Sequence, residues 1–353
     1  TGEAVEAIAL PGMPNLHSHA FQRGMAGLAE VRGASDDSFW TWREAMYRFV
    51  DRLDPEQLQA IAAMAYVEML ETGFTRVGEF HYLHHDPTGA RYSDPATMTH
   101  AIVAAADEAG IALTHLPVFY AHAGFGGQAP NHSQRRFIHD VDGFARLFEA
   151  ASQAVAILPD GITGMAPHSL RAVTWEELLQ LEAMAGTAPI HIHVAEQVRE
   201  VDECLAFSGQ RPVEWLLANT PVDQRWCLVH ATQMTPDEVT ALAASGAVAG
   251  LCPITEANLG DGLFPARAFL NARGRIGVGS DSNVLIDMTE ELRWLEYGQR
   301  LGDRARNVLA GGAGRSTGLD LFNESLSGGA QALGFEAGLA VGRSADFFTL
   351  DPE

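Results

Sequence analysis

Lysine is absent from this chain of 353 residues. All 23 basic residues are arginine, set against 45 acidic ones, and the net charge is −22. The missing lysine excludes three chemistries: a Schiff-base lysine, a phosphate-loop lysine and a carbamylated lysine bridging two metal ions. The shortage of positive charge excludes broad binding to phosphate backbones or anionic lipid, so neither nucleic acid nor membrane is an expected partner. Cysteine is scarce too. Cys204, Cys227 and Cys252 are far apart and form no CxxC, so no disulfide framework is expected and a reducing cytoplasm fits. No basic segment followed by an apolar core opens the sequence, and no secretory signal is expected. The apolar stretch Thr240–Thr255 contains Ser245, Gly246 and Gly250 and falls short of the ~20 residues of a membrane span. What is there is a globular balance, 47% apolar and 19% charged, with enough chain for a sizeable core.

Short β-branched apolar runs recur along the chain, each followed by a helical pattern. The runs are Ile8–Leu10 leading into Pro14–His19, Thr75–Phe80, Ile111–Phe119, Ile162–Pro167, Pro189–Val194, Trp226–His230, Ala247–Cys252 and Arg275–Asp281. Helix starts are marked between them. Asp54-Pro55-Glu56 supplies a cap, a first-turn proline and an early acid. Thr174–Glu177 and Thr235–Glu238 fit the capping box. Eight strands alternating with helices predict a parallel (β/α)₈ TIM barrel. His19, His81, His168, His193, His230 and Asp281 all fall at or just past strand C-termini, the face on which barrels build active sites. The barrel is assigned to residues 1–310. Residues 311–353 are read as a helical segment followed by the first strand of something further, Gly342–Phe348, with no partner inside the barrel. Phe21–Leu53, rich in aromatics and arginine, reads as a long functional loop.

The chemistry-bearing residues lie on four strands. In His17-Ser18-His19 two imidazoles two residues apart point to one side of a strand. His191-Ile192-His193 repeats the pattern, His230 ends the sixth strand and Asp281 the eighth. Singly, each is a satisfied core histidine at least as readily as a ligand; together they meet at one rim. Imidazoles with one carboxylate suit a single divalent metal, Zn²⁺ first and Fe²⁺ second. Cys252 also ends a strand and is assigned to packing. Zinc lowers the pKa of bound water to about 7. Glu196, three residues after His193, is the candidate proton shuttle, with His230 and Asp281 accepting the water proton and polarising the electrophile.

These motifs resemble the amidohydrolase superfamily in its mononuclear deaminase branch. The resemblance runs through Leu10–His19, His193 with Glu196, His230, Ser280-Asp281 and the loop Cys252–Gly262. Three stretches, His17–Arg23, Phe39–Tyr47 and Gly78–His85, are similar to the linear-amidine deiminases of that branch. Those enzymes hydrolyse N-formimino-L-glutamate to N-formyl-L-glutamate and ammonia in histidine breakdown. The resemblance implies His17, His19, His193 and Asp281 as metal ligands and Glu196 and His230 as catalytic groups. It also implies a small β-sandwich built from both chain ends. Only sixteen residues precede His17, so most of that sandwich is expected to be missing.

Such a substrate carries two carboxylates, which an acidic protein must meet with local arginines. Arg43 and Arg171 are the candidate clamps, with Gln22, Tyr82 and His168 beside them. A guanine-type deaminase would share the metal ligands and want a stacking ring instead, for which Trp40, Trp42 and Phe125 are available. A silent scaffold barrel would have lost ligands, and none is lost. No motif encodes the oligomeric state; a homodimer is left open.

Overall fold

The computed structural model describes residues 7–30 and 39–351. Two strands stand where the sequence suggests one. β1 (Ile8–Pro11) and β2 (Met13–Ser18) are separated by Gly12, and only β2 enters the barrel. β1 pairs antiparallel with β11 (Phe347–Leu350), Ile8 opposite Leu350. Ile8–Leu10 is therefore not part of the first barrel strand, and the C-terminal strand finds its partner outside the barrel.

The barrel itself is parallel throughout. One arc runs β2, β3 (Phe74–His81), β4 (Ala112–Phe119) and a fourth strand split into β5 (Ile162–Thr163) and β6 (Ala166–Pro167). The other runs β7 (Ile190–Val194), β8 (Trp226–His230), β9 (Val248–Leu251) and β10 (Arg275–Val278). Backbone bridges close the ring: Met165 with Ile190 and Ser169 with His193 at one seam, Ser18 with Asp281 at the other. The chain is a TIM barrel.

Local sequence sets the helices as expected. Asp54 caps Pro55–Glu71, and Thr174 and Thr235 each complete a capping box. Gly246 closes its helix in the left-handed region, φ 80°, where only glycine sits without strain. Phe21–Leu53 is not a structureless loop. It contains most of a 3₁₀ turn (Ala20–Met25) and a helix (Phe39–Val50); positions 31–38 lie outside the described residues.

The lower mouth of the barrel, where the strands start, is plugged by the end of the Thr317–Ala332 helix. Leu333 and Ala332 pack with Leu16, Val229 and Val248, each large side chain contributing roughly 1.5–3 kcal/mol by leaving water. Thr114 Oγ1 donates to Leu333 O at 3.0 Å. Gln331 Nε2 donates to Gln224 O and Gly246 O, just ahead of β8 and β9. The opposite mouth is left for chemistry. No helix among the described residues is long and apolar enough to cross a membrane.

Candidate active site

Four side chains from three strand ends converge at the upper mouth. Donor atoms of His17, His19, His193 and Asp281 all lie within 4.8 Å of one another, and all four residues are buried. His193 Nε2 is 3.0 Å from His17 Nε2. Asp281 Oδ1 is 3.4 Å from His17 Nε2 and 3.2 Å from His19 Nε2.

The proton count shows what such a cluster lacks. Backbone carbonyls fix two rings: His19 Nδ1 donates to Phe80 O at 2.8 Å and His193 Nδ1 to His168 O at 3.1 Å. Burial, reinforced by His17, holds the His193 pKa well below the usual range, so the ring is neutral and its Nε2 presents a lone pair. That lone pair faces His17. Burial lowers the His17 pKa to about 3, against the pull of Asp281, so His17 has one proton for two nitrogens. On Nε2 it leaves Nδ1 bare; on Nδ1 it finds no acceptor, because that buried atom has no partner. Burial would raise Asp281, but His17 and His19 hold it well below the carboxylate range, so it adds another pair of acceptors. Acceptors outnumber protons, and a divalent cation fits the deficit. The ring nitrogens bonded to carbonyls are the supporting contacts that metal-bound imidazoles carry.

The ligands are aimed by a strained and hydrogen-bonded seam. Asp281 and Asn283 sit at φ 45° and 55°, and His230 at φ 68°. Non-glycine residues in that region cost about 1 kcal/mol or more each and persist where their surroundings enforce them. Asn283 Nδ2 reaches Ser18 Oγ, His19 O and Asp281 O, all at 3.1 Å. Ser280 Oγ donates to Asn283 Oδ1, and Asn15 brackets Ser280 through both its amide atoms. This buried network ties β2 to the turn after β10, across more than 260 residues of sequence. Gly279 permits the approach: a Cβ there would meet the backbone N and O of His17 at 2.7 Å.

Three acids face His230. Its Nδ1 bonds Glu256 Oε1 at 3.3 Å, while Nε2 lies 3.9 Å from Glu196 Oε1 and 4.0 Å from Asp281 Oδ2. Burial opposes charge on His230, but Glu196, Glu256 and Asp281 lift its pKa to about 10. Burial raises Glu196 to about 7, with His230 pulling the other way. A carboxyl group near 7 can both give and take a proton at neutral pH.

The pocket above the quartet is lined by Gln22, Arg43, Tyr82, His168, Arg171 and Glu196, together with Phe39, Trp42, Tyr47 and Tyr120. Every substrate-contact residue expected from the sequence is therefore on its wall. Arg171 is buried, with no partner at Nε. Burial works against its charge, but Glu200, Tyr120 and Glu196 hold its pKa above the ordinary value. Arg43 stacks over Trp40 at 4.7 Å and lies 5.6 Å from the Tyr47 ring. Gln22 Nε2 donates to Tyr82 Oη at 2.9 Å. His168 adds its own carbonyl to His193.

Other candidates fall elsewhere. His81 is buried, donates from Nε2 to Leu83 O at 2.8 Å, and does not line the pocket. His191 Nε2 meets Ala332 O at 2.7 Å, at the lower plug. Phe125 stacks on Phe207, away from the quartet, and Trp40 supports Arg43 and Arg199 instead of facing the cavity. Sequence reading missed Tyr120, Glu256 and Asn283. Tyr120 directly follows a strand end, the signal that singled out His19. Glu256 lies in the loop Cys252–Gly262 and Asn283 two residues past Asp281, but nothing local says what they bond.

A parallel barrel with an imidazole–carboxylate quartet at its upper mouth has the layout of a hydrolase with a candidate metal site. The profile of the Amidohydrolase family matches residues 8–353, and the chain belongs to that family, whose members hydrolyse carbon–nitrogen bonds. It is 56% identical to formimidoylglutamate deiminase of Pseudomonas aeruginosa, over 99% of this chain and 77% of that protein. It is 28% identical to a 5-methylthioadenosine/S-adenosylhomocysteine deaminase of Natronomonas pharaonis, over 99% of this chain and 74% of the relative. A crystal structure of an amidohydrolase from Brucella melitensis superimposes with a TM-score of 0.95 at 57% identity, covering 97% of this chain and 77% of that one. An adenosine deaminase from Xanthomonas campestris, solved with bound zinc, shares the fold at a TM-score of 0.78 and 24% identity.

Proposed function

We propose that the chain hydrolyses N-formimino-L-glutamate, or a linear amidine close to it, to the formyl product and ammonia. One observation carries the reading: Arg43 and Arg171 line the same small pocket as the ligand quartet and Glu196. Two guanidiniums in a chain of charge −22 mark places for two carboxylates. The similarity to a deiminase from Pseudomonas aeruginosa supports the same substrate.

His17, His19, His193 and Asp281 would hold the metal, zinc in this reading because nitrogen donors dominate the set. When bound, it supplies Lewis acidity that brings the pKa of water toward 7. The protein groups do the rest. Arg43 and Arg171 fix the two carboxylates and so orient the formimino carbon. Asp281 Oδ2 takes the proton of the attacking water, and the imidazolium of His230 holds that water and the developing oxyanion through Nε2–H. Glu196 delivers a proton to the nitrogen that leaves as ammonia. Water adds to the carbon, the carbon–nitrogen bond breaks, and one oxygen replaces one nitrogen. Glu256 keeps the His230 ring turned with Nε2 toward the pocket. The three free, separated cysteines support placing the enzyme in a reducing cytoplasm.

Phe39 and Trp42 on the pocket wall favour a second reading, deamination of a stacked heteroaromatic ring. Ammonia release measured with N-formimino-L-glutamate and with guanine and adenosine nucleosides separates the two. The proposal requires turnover of the first with metal present; turnover of the rings alone would overturn it.

A further inference from the structure

Cys252 lies in the barrel interior just below the site, and the proposed chemistry gives it no task. Its thiol, one nitrogen of His230 and one oxygen of Asp281 lie within 4.8 Å of one another, and all three residues are buried. The set comes from the ends of β8, β9 and β10. The two oxygens of Asp281 face different neighbours. Oδ1 turns to His17 and His19, while Oδ2 turns to His230. His230 Nδ1 is held by Glu256, so Nε2 is the nitrogen left to coordinate.

We propose that His230, Cys252 and Asp281 form a second cation site, selective for soft divalent ions such as Cd²⁺ or excess Zn²⁺, whose filling inhibits the hydrolase. Thiolate, imidazole and carboxylate are the donor set that soft ions select. Tetrahedral bonds of about 2.0–2.3 Å place neighbouring donors roughly 3.3–3.6 Å apart. His230 Nε2 and Asp281 Oδ2 stand at 4.0 Å, so about half an ångström of closure suffices for that pair. Carboxyl groups also surround the set: Glu256 Oε1 lies 3.3 Å from His230 Nδ1, and Glu196 Oε1 lies 3.9 Å from its Nε2. Binding releases two protons to solvent, one from the Cys252 thiol and one from His230 Nε2, and forms the metal–sulfur and metal–nitrogen bonds; nothing is oxidised or reduced. Inhibition follows because the ion takes Asp281 Oδ2 and His230 Nε2, the two atoms assigned to the attacking water. The site shares Asp281 with the quartet, so the inference rests on the hydrolase reading.

Metal-free protein titrated with Cd²⁺ tests it. The first equivalent fills the quartet. The second brings a sulfur-to-cadmium charge-transfer absorbance in the ultraviolet, and in the zinc-loaded enzyme Cd²⁺ lowers turnover at least tenfold until a chelator removes it. In Cys252→Ala the first equivalent and the basal activity persist, the absorbance is absent, and the Cd²⁺ concentration for half-inhibition rises at least tenfold. Cys252→Ser, which keeps the volume and removes the soft donor, behaves the same way if the alanine variant folds poorly. Absence of the charge-transfer band in the wild type, or equal sensitivity of the variants, overturns the proposal. Failure of even the first equivalent to bind overturns the metal-hydrolase reading itself, and this one with it.

Discussion

His191 and His193 sit on the same strand, two residues apart, on the same side and equally sheltered from water, yet they do opposite things. His191 points to the lower mouth and ends on the carbonyl of Ala332 at 2.7 Å. His193 points to the upper mouth, where its outward nitrogen meets another imidazole nitrogen at 3.0 Å. The two mouths differ in the same way. Below, Thr114 and His191 donate to carbonyls at the end of the plugging helix, and Gln331 on that helix donates to Gly246 O, so these carbonyl acceptors find donors. Above, acceptor faces acceptor, with His193 Nε2 3.0 Å from His17 Nε2 and Asp281 Oδ1 beside His17 and His19; a bare imidazole nitrogen occurs at both mouths, on His17 and on His191. A buried donor matched to an acceptor stabilises by about 1 kcal/mol, whereas a buried group left unmatched costs about 1–3. The lower mouth therefore helps hold the fold, and the upper mouth gathers the acceptors that the proposed cation would use.

The comparison can be broken most sharply at the quartet. His193→Asn and Asp281→Asn should each remove stoichiometric metal and lower kcat/KM by about 10³-fold or more, since metal activation of water is lost. Metal analysis beside ammonia-release kinetics checks this; full activity in a metal-free variant would mean the cluster is another packed core. Next come the clamps. Arg171→Met and Arg43→Met each remove charge-assisted bonds worth about 1.5–3 kcal/mol, so kcat/KM should fall roughly 10–100-fold with metal content unchanged. A smaller effect is expected at the seam. Asn283→Ala leaves Ser280 and three oxygens without their bracket, and metal affinity should weaken about 10-fold, as supporting contacts typically contribute. Thr114→Val, at the other mouth, should lower thermal stability and leave that affinity alone.

Much of this was legible in the sequence because the barrel makes strand ends equivalent. Once eight runs are counted, any polar residue just past a run lies on the upper rim, and so His17, His19, His193, His230, Asp281, Glu196, Arg43 and Arg171 could be placed without coordinates. The same rule misfiled His81 and left His191 undecided, because spacing fixes which side a side chain faces and not what its nitrogens meet. Ile8–Leu10 was joined to the wrong strand because the strand it pairs with, Phe347–Leu350, is more than 330 residues away. Cys252 read as packing and does pack, in one buried cluster with Leu16, Val229 and Val248, while its nearness to His230 and Asp281 across three strands leaves no local trace. Asn283 was invisible for the same reason: its partners Ser18 and His19 are brought to it only when the ring closes.

The finest test of the two mouths uses His191. Burial lowers its pKa to about 4, although the Ala332 carbonyl works the other way. In the unfolded chain the value returns to about 6.5. Between those limits the unfolded state binds a proton that the folded state refuses, so stability falls as pH drops from about 6.5 to about 4 and flattens below. His191→Gln removes one such proton. Its unfolding free energy, from urea titrations at steps between pH 7.5 and 4.5, should lie about 1 kcal/mol below the parent at neutral pH. Across the acid window its slope should be shallower by up to ~1.4 kcal/mol per pH unit. Turnover near neutral pH should stay within about twofold, because the site is at the other end of the strand. If His191→Gln instead loses metal or activity, the two imidazoles are coupled through β7, and the division of labour between the mouths does not hold.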